Sequence, residues 1–261
     1  MARRDTADTE VIEAGPPVVA APKLVVPQGR GARGKSVFVR WAAERAVRAG
    51  RPVLVADGDR TNATLAAFFQ EVTRPPSPDG DAVTAWLSAL LDAQTEHRAS
   101  LLLDLGGGDL VLKEYARDLG LVEFCDGFGI EPVAVHLIGG DLDDLAYLDA
   151  VETTGIFAPP RTVLVLNEGV LPPGRSAEPG FAAVRANPVF QAAVARGARV
   201  AVMPRLGCMA AVDTARLQFA DAESGRAGRG GAPFSPTGRQ QVKKWRAAME
   251  AAFAGVSDWL P

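Results

Sequence analysis

Cysteine and histidine are scarce in this 261-residue chain, which has two of each. Cys125 and Cys208 stand far apart, outside any CxxC or Cys/His arrangement, and with only His97 and His136 available there is no zinc signature. Both thiols are expected to be small buried groups in a reducing cytosol. No apolar run reaches the roughly 18 residues needed to cross a bilayer. The amino-terminal stretch "MARRDTADTEVIEAGPPVVAAP" carries charges where a signal peptide needs its apolar segment. A soluble, cytoplasmic protein with no membrane partner is therefore expected. An excess of one charge is missing as well: 28 Lys and Arg face 31 Asp and Glu. This balance excludes a global attraction to nucleic acid or an anionic membrane, so such a partner must use a local patch.

The length suits one large α/β domain. Residues 1–22 mix charge, proline and small residues without periodicity and are expected to form a flexible leader. Residues 23–261 are expected to form a single domain. Within it, "KLVVP" (23–27), "RPVLVAD" (51–57), "SLLLDLGGG" (100–108), "EPVAVHLIGG" (131–140), "RTVLVLNEG" (161–169) and "ARVAVMPRLG" (198–207) are apolar on consecutive positions, as in strands covered on both faces. Helix-length segments separate these runs. The pattern predicts a doubly wound, mainly parallel sheet in a three-layer α/β/α arrangement. "TRPPSPDGD" (73–81) and "SGRAGRGGAPFSPTGR" (224–239) read as surface loops. A closing carboxy-terminal helix follows, its stripe of Val242, Trp245, Met249 and Phe253 expected to dock on the core.

Between the first predicted strand and helix lies "GRGARGKS", in which Gly29, Gly34, Lys35 and Ser36 fit GxxxxGK[ST]. In such a P-loop, backbone N–H groups surround the phosphates, the following helix adds its positive end, and glycines permit close approach. The nucleotide-binding stretch is expected to comprise Gly29, Arg30, Gly31, Ala32, Arg33, Gly34, Lys35, Ser36 and Val37. Lys35 is expected on the β- and γ-phosphates, and Ser36 on Mg²⁺. Two strand-end carboxylates stand where metal and water need them: Asp57, and Asp104 in the hhhhD pattern "LLLD", followed by Gly106 to Gly108. The triplet Asp141, Asp143 and Asp144 in "GGDLDDLAYLDA" either binds a cation or, more simply, caps a helix.

The ordered set "GRGARGKS", "VLVADGDRTNATL", "LLLDLGGG", "VLVLNE" and "VAVMPRLG" resembles the deviant Walker A ATPases of the ParA/MinD superfamily, over about residues 23–205. Within it, "PQGRGARGKS" and "DGDRTNAT" look closest to TraL-type proteins of conjugative plasmids. The resemblance implies ATP and Mg²⁺ as cofactors and an ATP-dependent homodimer in which a signature lysine reaches the opposite subunit's nucleotide. Arg30 occupies that lysine's position, Ala32 replaces a glycine, and Arg33 stands where a small or apolar residue is usual. By the same resemblance Asp57 positions the attacking water and contributes to the metal site with Ser36 and Asp104. Asp59, Asn62 and Gly107 belong to the switches, Asn167 recognises adenine, and Pro204 and Arg205 lie beside the base. A guanidinium could bridge phosphates in trans. Arg30 could equally contact phosphate in cis or pair with a surface carboxylate, and Arg33 could face phosphates, a partner or solvent, with solvent the leading expectation.

The implied function is a slowly hydrolysing switch ATPase, with catalysis resting on Lys35, Asp57 and Arg30, that acts in plasmid or DNA partitioning, conjugation or cellular positioning and has an unidentified activating protein partner. Two alternatives remain: an ATP-dependent synthetase with the same loop, and a non-hydrolysing nucleotide-binding subunit. Non-specific DNA could be held by residues 216–246, where Arg216, Arg226, Arg229, Arg239, Lys243, Lys244 and Arg246 outnumber Asp221 and Glu223. A solvated helix face with loop arginines is the simpler reading of that patch.

Overall fold

The computed structural model describes residues 20–59, 64–69, 71–106 and 110–261. Seven strands form one sheet in the order β3-β2-β4-β1-β5-β6-β7. They are β1 (Lys23–Gln28), β2 (Val53–Asp57), β3 (Val72–Thr73), β4 (Ser100–Asp104), β5 (Glu131–Ile138), β6 (Arg161–Asn167) and β7 (Arg199–Met203). Every pairing is parallel. The six apolar runs of the sequence supply six of these strands; β3, of two residues, is too short for any periodicity and lies at the border of a segment read as loop.

Eleven α-helices are described: α1 (Lys35–Arg48), α2 (Gly80–His97), α3 (Leu110–Leu119), α4 (Leu121–Gly127), α5 (Ala146–Thr154), α6 (Ala177–Gly180), α7 (Ala182–Ala186), α8 (Pro188–Ala195), α9 (Met209–Ala215), α10 (Phe219–Ser224) and α11 (Pro236–Ala252). Side chains alternate across each strand, so adjacent apolar residues feed different cores. Val25, Val133, Val135 and Val163 join Phe38, Trp41, Trp245, Met249 and Phe253 on one face, packed by α1 and α11. Leu24, Val26, Leu101 and Leu103 join Trp86, Leu87 and Leu90 of α2 on the other face, where Leu164 and Leu166 continue the layer under α5 and α8. The result is the three-layer α/β/α arrangement expected from the runs.

The stripe on α11 is buried, with Val242 and Met249 fully enclosed. Phe253, just past its end, packs on Trp41 at 4.7 Å and Phe38 at 5.7 Å between ring centroids, tying the carboxy-terminal region to the helix that follows the glycine loop. Cys125 is buried and its thiol is pushed up to about 12 by burial, whereas Cys208 is only half-buried, short of the expectation for both thiols. His136 on β5 is fully enclosed and held neutral, pushed down to about 4 by burial. Among the described residues, no helix is long and apolar enough to cross a membrane.

Phe253→Ala removes a ring that is 2% exposed, and should lower unfolding free energy by about 3–5 kcal/mol. Urea denaturation checks this; a loss below about 1 kcal/mol would show that α11 is held without the Phe253 contact.

Candidate functional site

Parallel strands bring their carboxyl ends to one edge, and β1 lies between β4 and β5. The loop leaving β1 therefore emerges between the ends of both neighbours. Gly34, at φ +93°, turns the chain into α1, and a Cβ there would lie 2.5 Å from the Asn167 side-chain amide, so only glycine fits. Ala32 also adopts a left-handed φ of 59°, at a cost of roughly 1–2 kcal/mol that glycine would avoid. Alanine at this position therefore adds strain to the loop.

Lys35, buried at the start of α1, donates from Nζ to the carbonyls of Gly29 (3.1 Å) and Arg30 (3.2 Å), and burial lowers its pKa. Its ammonium is thereby held inside the curl of the loop. Ser36 donates from Oγ to Asp104 Oδ2 at 2.6 Å. Asp57 and Asp104 are register partners on β2 and β4, so two buried carboxylates end side by side. Burial raises both: Asp104 is pushed up to about 6, against the opposing effects of the Ser36 hydrogen bond and Lys35. Asp57 accepts from Asp59 N and Leu65 N, both at 3.1 Å, and so holds the backbone at these two positions beside the strand end. Gly58 N donates to Asp104 O at 2.7 Å, while Asp59 approaches Gly106. The segments after β2 and β4 are therefore in direct contact. Asn62 and Gly107 lie outside the described residues.

The aspartates after β5 start a 3-10 turn, Leu142–Leu145, with Asp141 at its N-cap and Asp143 and Asp144 in its first turn, but without a side-chain cap bond, and among the described residues they are not part of a metal-holding cluster. Asp144, whose side chain is 0% exposed, accepts Arg33 Nε at 2.7 Å on one oxygen and Gly139 N at 2.8 Å on the other. Arg30 Nη1 reaches the same Asp144 oxygen at 3.4 Å, and Arg33 Nη2 reaches Asp141 at 3.3 Å. Arg33 is thus not solvated, contrary to the leading expectation. A buried carboxylate requires a matched cation and filled lone pairs, and Arg33 with Gly139 N provides them. Gly139 makes room for the pair: a Cβ there would lie 2.5 Å from Asp144 Oδ2 and 3.3 Å from Arg33 Nε. Sequence reading missed this role of Asp144, although opposite charges followed β1 and β5.

Asn167, at the end of β6, donates from Nδ2 to Arg33 O at 2.9 Å and accepts from Gly169 N at 2.8 Å. Its amide braces the glycine loop from below. Pro204 O accepts Trp245 Nε1 at 2.8 Å, anchoring the segment after β7 to α11, and Arg205 binds the Leu171 carbonyl across the cleft. Gly29 to Val37, Asp57, Asp59, Asp104 and Asn167 are therefore brought together at one sheet edge, with Pro204 and Arg205 beyond Asn167.

No family model matches the chain, and no curated protein matches it. Among solved structures it is similar to the MinD cell division protein of Aquifex aeolicus, at 10% identity over 86% of this chain and 97% of that one, with a TM-score of 0.48. It is also similar to chloroplast FtsY of Physcomitrella patens, at 18% identity over 87% of this chain and 65% of that one, with a TM-score of 0.46. An FtsY of Thermotoga maritima follows at 15% identity, covering 87% and 69%, with a TM-score of 0.42.

Two outcomes test the site. Between pH 4 and 6 the folded chain holds a proton on Asp104 that the unfolded chain has released, so rising pH lowers stability in that window. Asp104→Asn should remove a pH-dependent penalty on the order of 2–3 kcal/mol, read as the difference between the two urea-denaturation profiles. A pH-independent difference would place the ordinary carboxylate pKa at Asp104. Asp144→Asn should cost about 2–4 kcal/mol, whereas Asp143→Asn, whose carboxylate is 87% exposed and 3.9 Å from Arg30, should change stability by less than about 0.5 kcal/mol. Equal effects would contradict the buried pairing. The motif between β1 and α1, with the all-parallel sheet around it, gives the chain the fold of a P-loop NTPase.

Proposed function

We propose that the protein is a nucleotide-driven switch of the ParA/MinD type that binds ATP with Mg²⁺, hydrolyses it slowly and pairs with a second copy when loaded. The observation that carries this reading is the convergence of Lys35, Ser36, Asp104 and Asp57 at the ends of three adjacent parallel strands. The donor set fits the cofactors. Lys35 is held by carbonyls that a phosphate can outcompete, because an ammonium–phosphate contact is charge-assisted. The hydroxyl of Ser36 and the carboxylate of Asp104 form a hard oxygen pair, suited to Mg²⁺ that takes its remaining ligands from phosphate and water. Bound Mg²⁺ supplies neutralisation of the developing phosphate charge.

In this reading Asp57, buried and anchored by Asp59 N and Leu65 N, orients the attacking water. Its raised pKa reflects burial more than basic strength, so positioning supplies most of the rate and turnover is slow. The contact of Gly58 with Asp104 O gives the two switch segments a shared response to the γ-phosphate. Arg30, 42% exposed and at 3.4 Å from Asp144, is the loop cation free to exchange partners toward a phosphate in cis or in a second subunit. Asn167 and the Pro204–Arg205 segment bracket the place for the base.

The plasmid, conjugation or positioning role and the activating partner belong to the same proposal. So does DNA binding by residues 216–246, for which Arg216, Arg229, Arg239, Lys243 and Lys244 are exposed, while Arg226 pairs with Asp221 and Arg246 with Glu223. Pairing inside the patch cancels both of its acids and consumes two of its seven cations, leaving a face of five positive charges that is doubled in a dimer.

Equilibrium titration with fluorescent ATP and GTP analogues, alongside gel filtration with ATP, is the test. The native chain should prefer ATP and shift to a dimer, and Lys35→Ala should weaken nucleotide binding at least about tenfold, a loss near 1.4 kcal/mol, and remain monomeric. Preference for guanine would overturn the adenine assignment, and identical elution of both proteins with ATP would overturn the switch.

A further inference from the structure

Behind the glycine loop, on the α2–α5 side of the sheet, lies a cavity of about 110 Å³. Its floor is the end of β1, Val26 to Gln28; α3 contributes one wall through Lys113 and Ala116, and α5 the other through Tyr147, Ala150 and Val151. Ile156 and Phe157 close one end, and the other opens on Gly29, Lys35 and Gly106. An engineered apolar cavity of about 150 Å³ holds a benzene ring, so this one has the scale of a single small ring. Phe157 forms its wall in a left-handed conformation, φ 49°, unusual for a bulky side chain. Strain of that kind persists only where the surroundings enforce it, and it clusters at binding sites.

The polar groups set the ligand's charge. Two lysines, Lys35 and Lys113, line the cavity, together with Gln28, Thr154 and the Tyr147 side chain, and among the described residues that line it none is a carboxylate. Lys113 Nζ lies 5.4 Å from the centre of the Tyr147 ring, which steadies the ammonium at the wall between α3 and α5. An apolar chamber lined by two cations suits a small molecule with a ring or branched apolar body and one negative group. We propose that this cavity is a second ligand site, adjoining the phosphate cradle at Gly29 and Lys35, that takes a small hydrophobic carboxylate. The acid group meets Lys113 and the apolar body fills the space against Val151, Ile156 and Phe157. The site adjoins Gly106 and so communicates with the segment that follows Asp104.

Benzoate is the probe, titrated by calorimetry into the full nucleotide-free chain, so the result is independent of whether ATP is the physiological nucleotide. The expected result is saturable one-to-one binding. Benzyl alcohol should bind the native chain, and benzoate should bind Lys113→Gln, about fivefold more weakly, the loss of one partly exposed charge contact. Ala150→Trp, which fills the chamber from a half-buried position, should abolish binding. Thermal unfolding and far-ultraviolet circular dichroism establish that each variant is folded; should Ala150→Trp fail that check, Lys113→Gln and benzyl alcohol decide. Absence of saturable benzoate binding, unchanged binding in folded Ala150→Trp, or equal affinities for benzoate and benzyl alcohol would each overturn the proposal.

Discussion

Because parallel strands all deliver their carboxyl ends to one edge, the placement of β1 between β4 and β5 decides what flanks the glycine loop. On the β4 side stands Asp104, bonded to Ser36; on the β5 side stands Asp144, bonded to Arg33. The loop is thus pinned between two buried carboxylates of different use. One accepts the hydroxyl of Ser36 at the start of α1. The other balances an arginine that the P-loop motif does not ask for. Removing either β4 or β5 from its place would leave a buried charge without its partner, so sheet order and site electrostatics constrain each other.

A second pair of buried charges extends this control into the carboxy-terminal region. Arg40, 2% exposed on α1, donates to Asp213 at 2.7 Å and to the Leu217 carbonyl at 3.0 Å, with its guanidinium over the rings of Phe68 and Phe219. One turn later Glu44 accepts Phe219 N and Ala220 N at 2.6 and 2.8 Å, filling the first donors of α10. Gln218 in turn donates to the Phe68 carbonyl at 3.0 Å. The helix that begins at Lys35 is therefore fastened to the segment after β2 and to the start of the basic region by the same few contacts. Packed, hydrogen-bonded groups thus run without a break from the start of α1 to the beginning of the 216–246 segment.

The sheet was legible because strands buried on both faces need consecutive apolar residues, and a run such as "EPVAVHLI" admits few other readings. The glycine loop was legible because its chemistry fixes residue types at fixed spacing. What escaped the sequence depends on distance between segments remote in the chain. Arg33 and Asp144 are 111 positions apart, and no local pattern joins them; the available clue was that both follow strands which neighbour each other in the sheet. Arg40 and Glu44 escaped for a related reason. Set four apart in an alanine-rich helix, they carry no local sign of burial, and only the packing of α10 against α1 turns that face inward. Asn167 shows the intermediate case: its place below the loop follows from β6, while its bond to the Arg33 carbonyl follows from Gly34 bringing the backbone close enough.

The two loop arginines now differ in physical terms. Arg33 is 18% exposed and places its guanidinium on Asp144 and Asp141, with the Asp144 contact at 2.7 Å to a carboxylate that has no access to water. Taking it away would strand that charge, so its role is to neutralise Asp144 and hold the loop's shape. Arg30 shares the Asp144 oxygen at 3.4 Å, touches Asp143 only at 3.9 Å and is 42% exposed. Its departure leaves Asp144 still paired and costs no more than a surface ion pair, up to about 1 kcal/mol. A phosphate, with a larger charge and oxygens spaced for a guanidinium fork, outbids such a contact. Arg33 therefore makes Arg30 available: by satisfying the buried acid, it lets the neighbouring guanidinium leave without breaking the loop.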